Sequence, residues 1–170
     1  MNEDEGVLAG VHPVRETEDD VIVVWRSMVL VQSLGTPSVD GADAIVSGLH
    51  LLRERGVVRP LLYAFVSKTA APPPDEARVR LTTALRDPAL QLAGHVILFS
   101  GSAFRATIVR SVLTGMTLLS RQSYPSTAVW KLEASVEAAC GYLRDAGSRP
   151  AVEPDQLAAF LREFLPPAAT

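Results

Sequence analysis

The tripeptide Ser100-Gly101-Ser102 places two hydroxyl side chains around a glycine. It follows a strongly apolar segment, residues 95–99, and precedes an amphipathic segment, residues 103–119. Where a strand enters a helix, free backbone N–H groups and the helix dipole attract anions. The same residues can instead form a helix N-cap and a tight turn, which is the commoner role. Both alternatives stay open, although the glycine and lysine pattern of a nucleotide-binding loop is missing.

Arg105 lies just beyond this tripeptide, inside the apolar stripe of the predicted helix and near its N-terminal end. A cation at that end opposes the helix dipole. Its guanidinium group therefore faces an acidic group, a ligand or a partner, or else its alkyl stem packs over the edge of the sheet. Together with Arg110, these positions form a candidate contact for an anion or a protein partner. Its members are Ser100, Gly101, Ser102, Arg105 and Arg110.

A nucleophilic hydrolase would need an activated nucleophile beside a base, and the sequence shows no persuasive constellation of this kind. The three histidines occupy a predicted edge strand (His12), an amphipathic helix (His50) and the start of an apolar strand (His95). We expect structural or surface roles for all three. The single cysteine, Cys140, falls on the apolar stripe of a helix, which indicates a buried residue and not a reactive thiolate.

Metal sites group their ligands at short spacings, and no pair of histidines or cysteines has such a spacing. The sequence therefore predicts no metal and no other cofactor. The carboxylates that occur in pairs have simpler explanations. Asp19-Asp20 suits a hairpin turn, and Asp75-Glu76 suits the first turn of a helix.

The composition is that of one globular domain: 170 residues, 48% of them hydrophobic and 21% charged. A net charge of −3 argues against binding of nucleic acid. The longest apolar stretches, such as residues 96–99, are far too short to span a bilayer. One cysteine and an acidic start without a signal region predict a cytoplasmic protein.

The alternation of apolar patterns predicts an α/β fold with a mixed, mainly parallel sheet, an N-terminal hairpin and flanking helices. Residues 28–36 have no assigned element. The predicted strands are 11–16, 21–27, 61–66, 95–99 and 126–130. The first predicted helix begins at Pro37-Ser38 and ends at Gly56, and the other three span 75–85, 103–119 and 132–144.

The ends of the chain are predicted to differ from the domain itself. We expect residues 1–10 to be a flexible N-terminus, residues 11–147 to form the α/β domain, and residues 148–170 to be a linker followed by a helix. That last helix has an apolar stripe from Leu157 to Leu165. We expect the stripe to pack on its own domain, with docking on a partner and self-association as alternatives.

The order of these elements resembles the STAS domain, the fold of bacterial anti-sigma-factor antagonists. The resemblance covers residues 11–144, and its most suggestive part runs from His95 through Arg105 to Gly115. It implies a small regulatory or interaction module. Such antagonists usually have an Asp-Ser/Thr-Ser/Thr-Gly motif before their second helix. Here Ser67-Lys68-Thr69-Ala70 lacks the acidic residue and the glycine, so the resemblance does not transfer phosphorylation to Ser67 or Thr69.

Three functions follow, in order of preference. The first is a noncatalytic, STAS-like regulatory module that binds a protein partner through the surface near Ser100 to Arg110. The second is a carrier or sensor of a small molecule or lipid, with an anionic head group at the turn that includes Ser100 and Arg105. The third is an enzyme whose site uses Asp, Arg and Ser without histidine.

Overall fold

A computed structural model describes residues 10–101 and 124–167 of the chain. The predicted helix 103–119 and residues 1–9 of the predicted flexible N-terminus fall outside these residues. No helix in the described segments is long and apolar enough to cross a membrane. The elements are β1 (His12–Glu16), β2 (Asp20–Trp25), β3 (Met28–Ser33), α1 (Val39–Glu54), β4 (Leu61–Val66), α2 (Asp75–Ala84), a 3-10 turn (Pro88–Leu90), β5 (Gly94–Phe99), β6 (Ser126–Val129), α3 (Leu132–Asp145) and α4 (Pro154–Phe164).

The six strands form one sheet in the order β1-β2-β3-β4-β5-β6. The first three strands pair antiparallel, whereas β3, β4, β5 and β6 run parallel to one another. This arrangement confirms the predicted α/β class, the mixed and mainly parallel sheet, and the antiparallel hairpin at the N-terminus.

The third strand is the element that the sequence pattern did not predict. A two-residue turn, Arg26-Ser27, reverses the chain so that Trp25 pairs with Met28. Arg26 adopts a left-handed conformation with φ of 53°, which is uncommon outside glycine, asparagine and aspartate. Because the turn has no glycine or asparagine to mark it, the predicted second strand ran on to Ser27. The residues after it then had no clear assignment.

The helices cover both faces of the sheet. On one face, α1 and α2 pack on the apolar side chains of β2, β3 and β4, for example Leu49 and Leu81 with Leu62. On the other face, α3 and α4 pack on the alternate side chains of the same strands and of β5. This two-sided cover is why β2, β3 and β5 are almost continuously apolar.

The C-terminal helix belongs to this second core. The rings of Trp25 on β2 and Phe160 on α4 stack with centroids 4.2 Å apart and an interplanar angle of 14°. Leu157, Phe160 and Leu161 are fully buried, and the side-chain amide of Gln32 donates to the carbonyl oxygen of Phe164. The prediction that the apolar stripe of α4 packs on its own domain is therefore confirmed.

Candidate functional site

A cavity of about 220 Å³ lies between the sheet and the helices α1 and α2. Its floor consists of side chains that form three rows across the strands, as the pairing register shows. The outer row lies at the carboxyl ends of the parallel strands, and the other two rows follow towards their amino ends. The outer row is Asp20, Ser33, Val66 and Phe99, the middle row is Ile22, Val31, Ala64 and Ile97, and the inner row is Leu62 and His95.

The described residues around the middle of the cavity are apolar. Its floor is the four aliphatic side chains of the middle row, and Ala42 and Ile45 of α1 and Leu81 of α2 line it from above. A surface of this kind offers dispersion contacts and exclusion of water but no hydrogen bonds. It favours an apolar ligand body.

Hydroxyl groups collect at the outer end. Ser33 ends β3, Ser67 follows β4 and Ser100 follows β5, and all three line the cavity. The backbone hydrogen bonds between the strands continue at these serines. The N–H of Ser67 donates to the carbonyl oxygen of Ser33 at 2.9 Å, and the N–H of Ser100 donates to the carbonyl oxygen of Val66 at 3.0 Å. Asp19 and Pro72 are exposed lining residues at this same edge. The outer end therefore faces solvent and is polar.

The loops at this edge are tied to each other. The hydroxyl groups of Ser67 and Thr69 both donate to the carbonyl oxygen of Leu34, at 3.2 and 3.0 Å, and the N–H of Ala71 donates to that of Gly35 at 3.1 Å. These bonds hold the β4–α2 loop against the β3–α1 loop. Ser67 and Thr69 thus have a role in shaping the cavity rim, independent of any phosphorylation.

Asp20 contributes a buried carboxylate. It is only 5% exposed, and its Oδ1 accepts from Nε of Arg15 at 2.7 Å and from the hydroxyl of Thr17 at 2.8 Å. The sequence placed Asp20 in the hairpin turn. Instead it is the first residue of β2 and is directed towards α1, where Gly41 leaves room for its Oδ2. The Arg15 partner compensates the charge, so Asp20 anchors the hairpin to the cavity.

Gly35 permits a similarly close approach of Asp19. A Cβ at Gly35 would lie 1.8 Å from Oδ1 of Asp19, a distance that no side chain can occupy. The backbone N–H of Thr36 donates to this same carboxylate oxygen at 3.4 Å. A side chain at Gly35 would therefore have to displace the carboxylate of Asp19 where the β1–β2 turn meets the β3–α1 loop.

His95 lies at the inner end of the cavity and is 6% exposed. Burial lowers the pKa of its imidazole from 6.5 to about 4, so the ring is neutral at physiological pH. No hydrogen bond joins the ring to any residue in the described segments. A neutral imidazole offers one donor and one acceptor to whatever enters the cavity.

Arg78 provides a cation in the lining. One of its terminal nitrogens pairs with the carboxylate of Asp75, the first residue of α2. Its Nε is buried and has no hydrogen-bond partner in the described segments. In each of the two ion pairs, Arg78 with Asp75 and Arg15 with Asp20, the opposite charges compensate each other.

The structure places only part of the predicted anion or partner contact. Ser100 lines the outer end of the cavity, and Gly101 adopts φ of 130°, a conformation that favours glycine. Ser102, Arg105 and Arg110 lie outside the described residues. Anion binding at this turn therefore stays a prediction.

The other predicted sites take the expected places. His12 and His50 are exposed, and Cys140 is 4% exposed on the inner side of α3. Burial raises the pKa of the Cys140 thiol. Within the described segments, no three histidine, cysteine or acidic side chains come close enough to hold a metal ion.

His95, Ser33 and Ser67 line the cavity but were not assigned to a site from the sequence, whereas Ser100 was. Their signal was present. His95 is the single ionisable residue in the apolar segment 94–99, and Ser67 and Ser100 each follow directly on a predicted parallel strand. Since carboxyl ends of parallel strands share one edge of a sheet, these serines had to come together.

His95 is neutral and has no bond to a hydroxyl or thiol that it could activate, among the residues described. No protein-family model matches this sequence, and no curated protein or solved structure is significantly similar to it. Any function must therefore be argued from the chemistry of the chain itself.

Proposed function

We propose that this chain is a noncatalytic domain that binds a small, mainly apolar molecule between the sheet and the helices α1 and α2, as a carrier or sensor. The observation that carries the proposal is the position of the cavity. It reaches the carboxyl ends of three neighbouring parallel strands, where open α/β sheets commonly bind ligands. An apolar pocket with a few convergent polar groups is the usual form of a small-molecule site.

The size of the cavity limits the ligand. A dry apolar cavity of roughly 150 Å³ accommodates benzene. At about 220 Å³, this cavity suits a somewhat larger molecule. Scaling from benzene gives about nine non-hydrogen atoms. A long-chain lipid would have to extend beyond the outer edge, past Ser33 and Ser100.

Two measurements test this function. Native mass spectrometry of freshly purified protein is expected to show a small molecule that survives purification and is released by organic solvent. Propylbenzene, added to ligand-free protein, is expected to shift the methyl NMR signals of Ile22, Ile45 and Ile97, which line the cavity. Signals of Leu157 and Leu161 on the opposite face should stay in place.

A blocked cavity provides the matched control. Ala64 lies in the middle row, so Ala64→Leu is expected to fill the space and to weaken propylbenzene binding at least tenfold. Ala134→Leu adds the same atoms on α3, on the far side of the sheet, and should leave binding unchanged. Equal binding by wild type and Ala64→Leu would contradict a ligand in this cavity.

We also propose, as a second function, the protein-interaction role that the resemblance to STAS domains implies. The supporting observation is Trp130, which follows the edge strand β6 and is 62% exposed. Its ring contacts Phe99 edge to face at 6.4 Å, directly beside Ser100. Exposed aromatic side chains of this kind commonly form the centre of a protein interface.

Trp130→Ser tests this second function, since an exposed residue can be replaced at little cost in stability. In extracts of the native host, we expect some proteins to crosslink to wild type but not to Trp130→Ser. Val58→Ser is the control, because Val58 is 80% exposed and lies on the loop that enters β4. An identical set of crosslinked proteins for wild type and both variants would contradict a Trp130 interface.

A further inference from the structure

The buried imidazole of His95 poses a specific physical question. Buried polar groups in folded proteins nearly always have hydrogen-bond partners, because water is lost on burial. His95 is 6% exposed and has none within the described segments, although its side chain lines the cavity. A residue that serves only to fill space at this position would be apolar, like its neighbours Leu62 and Ile97.

The surroundings of His95 exclude a simple structural partner among the described residues. In its row it pairs with Leu62 on β4 and with Ser126 on β6, and Ser126 is exposed. The carboxylate of Asp20 lies in the outer row and is already bonded to Arg15 and Thr17. The donor and acceptor of the ring thus have no partner among the residues that the structure describes, and the side chain lines the cavity.

The distance between the polar ends of the cavity sets the ligand's shape. Phe99 lies four positions after His95 on β5, which corresponds to about 13 Å along the strand. The middle row between them is aliphatic. A ligand that satisfies His95 must therefore have an apolar body with a polar group at its inner end.

The neutral ring determines what that polar group is. An ion at the inner end would lose its hydration and gain no opposite charge from Leu62 and Ser126, the described residues beside His95 in its row. A hydroxyl or a carbonyl can bond a neutral imidazole without this penalty.

We propose that His95 orients the ligand of this cavity through a hydrogen bond to an uncharged hydroxyl or carbonyl group at the buried end of an apolar molecule. This assignment rests on the proposed small-molecule function. It names the chemical class of ligand as a small alcohol, phenol, ketone or similar uncharged compound, and it makes His95 the residue that determines specificity.

A set of matched probes tests the assignment. 2-Phenylethanol and propylbenzene have nearly the same shape, but only the alcohol can bond His95. The quantity of interest is the ratio of their dissociation constants in wild type and in His95→Leu. A net hydrogen bond of typical strength corresponds to about a tenfold change in this ratio. Relative to propylbenzene, the alcohol should bind more weakly to His95→Leu than to wild type.

Two variants control the experiment. His95→Gln keeps a donor and an acceptor and is expected to recover part of the preference for the alcohol. His50→Leu removes an exposed histidine on α1 and should leave the ratio as in wild type. Should His95→Leu fail to fold, the ring nitrogen NMR signals of His95 in wild type provide a second measurement. They should move with 2-phenylethanol and remain nearly constant with propylbenzene.

The outcomes separate the two levels of the proposal. A tenfold change in the ratio with movement of the ring nitrogens supports the His95 assignment. If both probes bind but the ratio is the same in His95→Leu, the assignment is wrong and the small-molecule function stands. If phenylacetate binds more tightly than 2-phenylethanol and His95 becomes protonated at pH 7, the His95 assignment is also wrong, and the ligand is an anion. If no probe binds, the small-molecule function itself fails.

Discussion

The ring of Tyr142 on α3 lies against the α-carbon of Gly94 on β5, so closely that a Cβ there would be 2.3 Å from Cδ2 of the ring. The hydroxyl of Tyr142 is hydrogen-bonded to that of Thr127 on β6, which fixes the ring in this position. The contact joins α3 to the strand on which His95 follows one residue later. The backbone that positions His95 is thereby held from the opposite face of the sheet.

Gly94→Ala is expected to lower the free energy of unfolding by about 1–3 kcal/mol, because the added methyl group must displace the Tyr142 ring or the strand. Urea denaturation measures the loss. Gly141→Ala is the matched control, since a Cβ at this position on α3 meets no atom within 4 Å. There the gain in helix propensity should leave stability equal or raise it by up to about 1 kcal/mol. Equal losses in both variants would contradict the steric explanation.

Phe160→Ala is expected to cost about 3–5 kcal/mol of stability, as for other buried aromatic residues, because Phe160 is fully buried and stacks on Trp25. Guanidinium denaturation followed by circular dichroism should show one transition at a lower midpoint. Phe164→Ala should cost less, since Phe164 is only partly buried. A Phe160→Ala protein with an unchanged main transition would mean that α4 is a separable appendage.

His95 is expected to make stability depend on pH. Burial lowers the pKa of His95 to about 4 from 6.5. Between these values the unfolded chain binds a proton that the native state does not bind. The contribution of His95 to the free energy of unfolding should therefore be constant above about pH 6.5. It should decrease by about 3 kcal/mol in total as the pH falls towards 4.

The measurement is the unfolding free energy of wild type and His95→Leu from pH 4 to pH 8. Carboxylates titrate in both proteins, so the difference between the two curves isolates the histidine. As the pH falls, the free energy of unfolding of wild type should decrease more than that of His95→Leu. The curve of His50→Leu should run parallel to that of wild type, because His50 is exposed. A constant difference across this range would show that the His95 ring is solvated.

Cys140 is expected to be unreactive in the native protein, because it is 4% exposed and burial raises the pKa of its thiol. An aromatic disulfide reagent should label it only after addition of urea. Cys140→Ser is expected to lower stability by about 1–2 kcal/mol and to leave propylbenzene binding unchanged, since Cys140 lies on the face opposite the cavity. Rapid labelling without denaturant, with loss of binding, would contradict this view.

The sequence by itself determined most elements of the fold, because local patterns encode them. The helical spacing after Pro37-Ser38 and the capping hydroxyl of Ser38, which accepts from Gly41 N at 3.0 Å, place α1 without reference to other elements. The strand β4 has the predicted bounds for a similar reason, since a short apolar run flanked by proline and serine indicates a buried strand. The alternation of strands and helices then implies a mainly parallel sheet.

Tertiary structure decided what the local pattern does not carry. β3 exists because it pairs with both β2 and β4, a stabilisation that depends on residues far along the chain, and Arg26 in its turn gives no local signal. The cavity is likewise invisible in sequence. The cavity forms only when separate strands and helices enclose the same space. The same packing buries Asp20 against Arg15 and lowers the pKa of His95, because desolvation depends on the whole environment of a group.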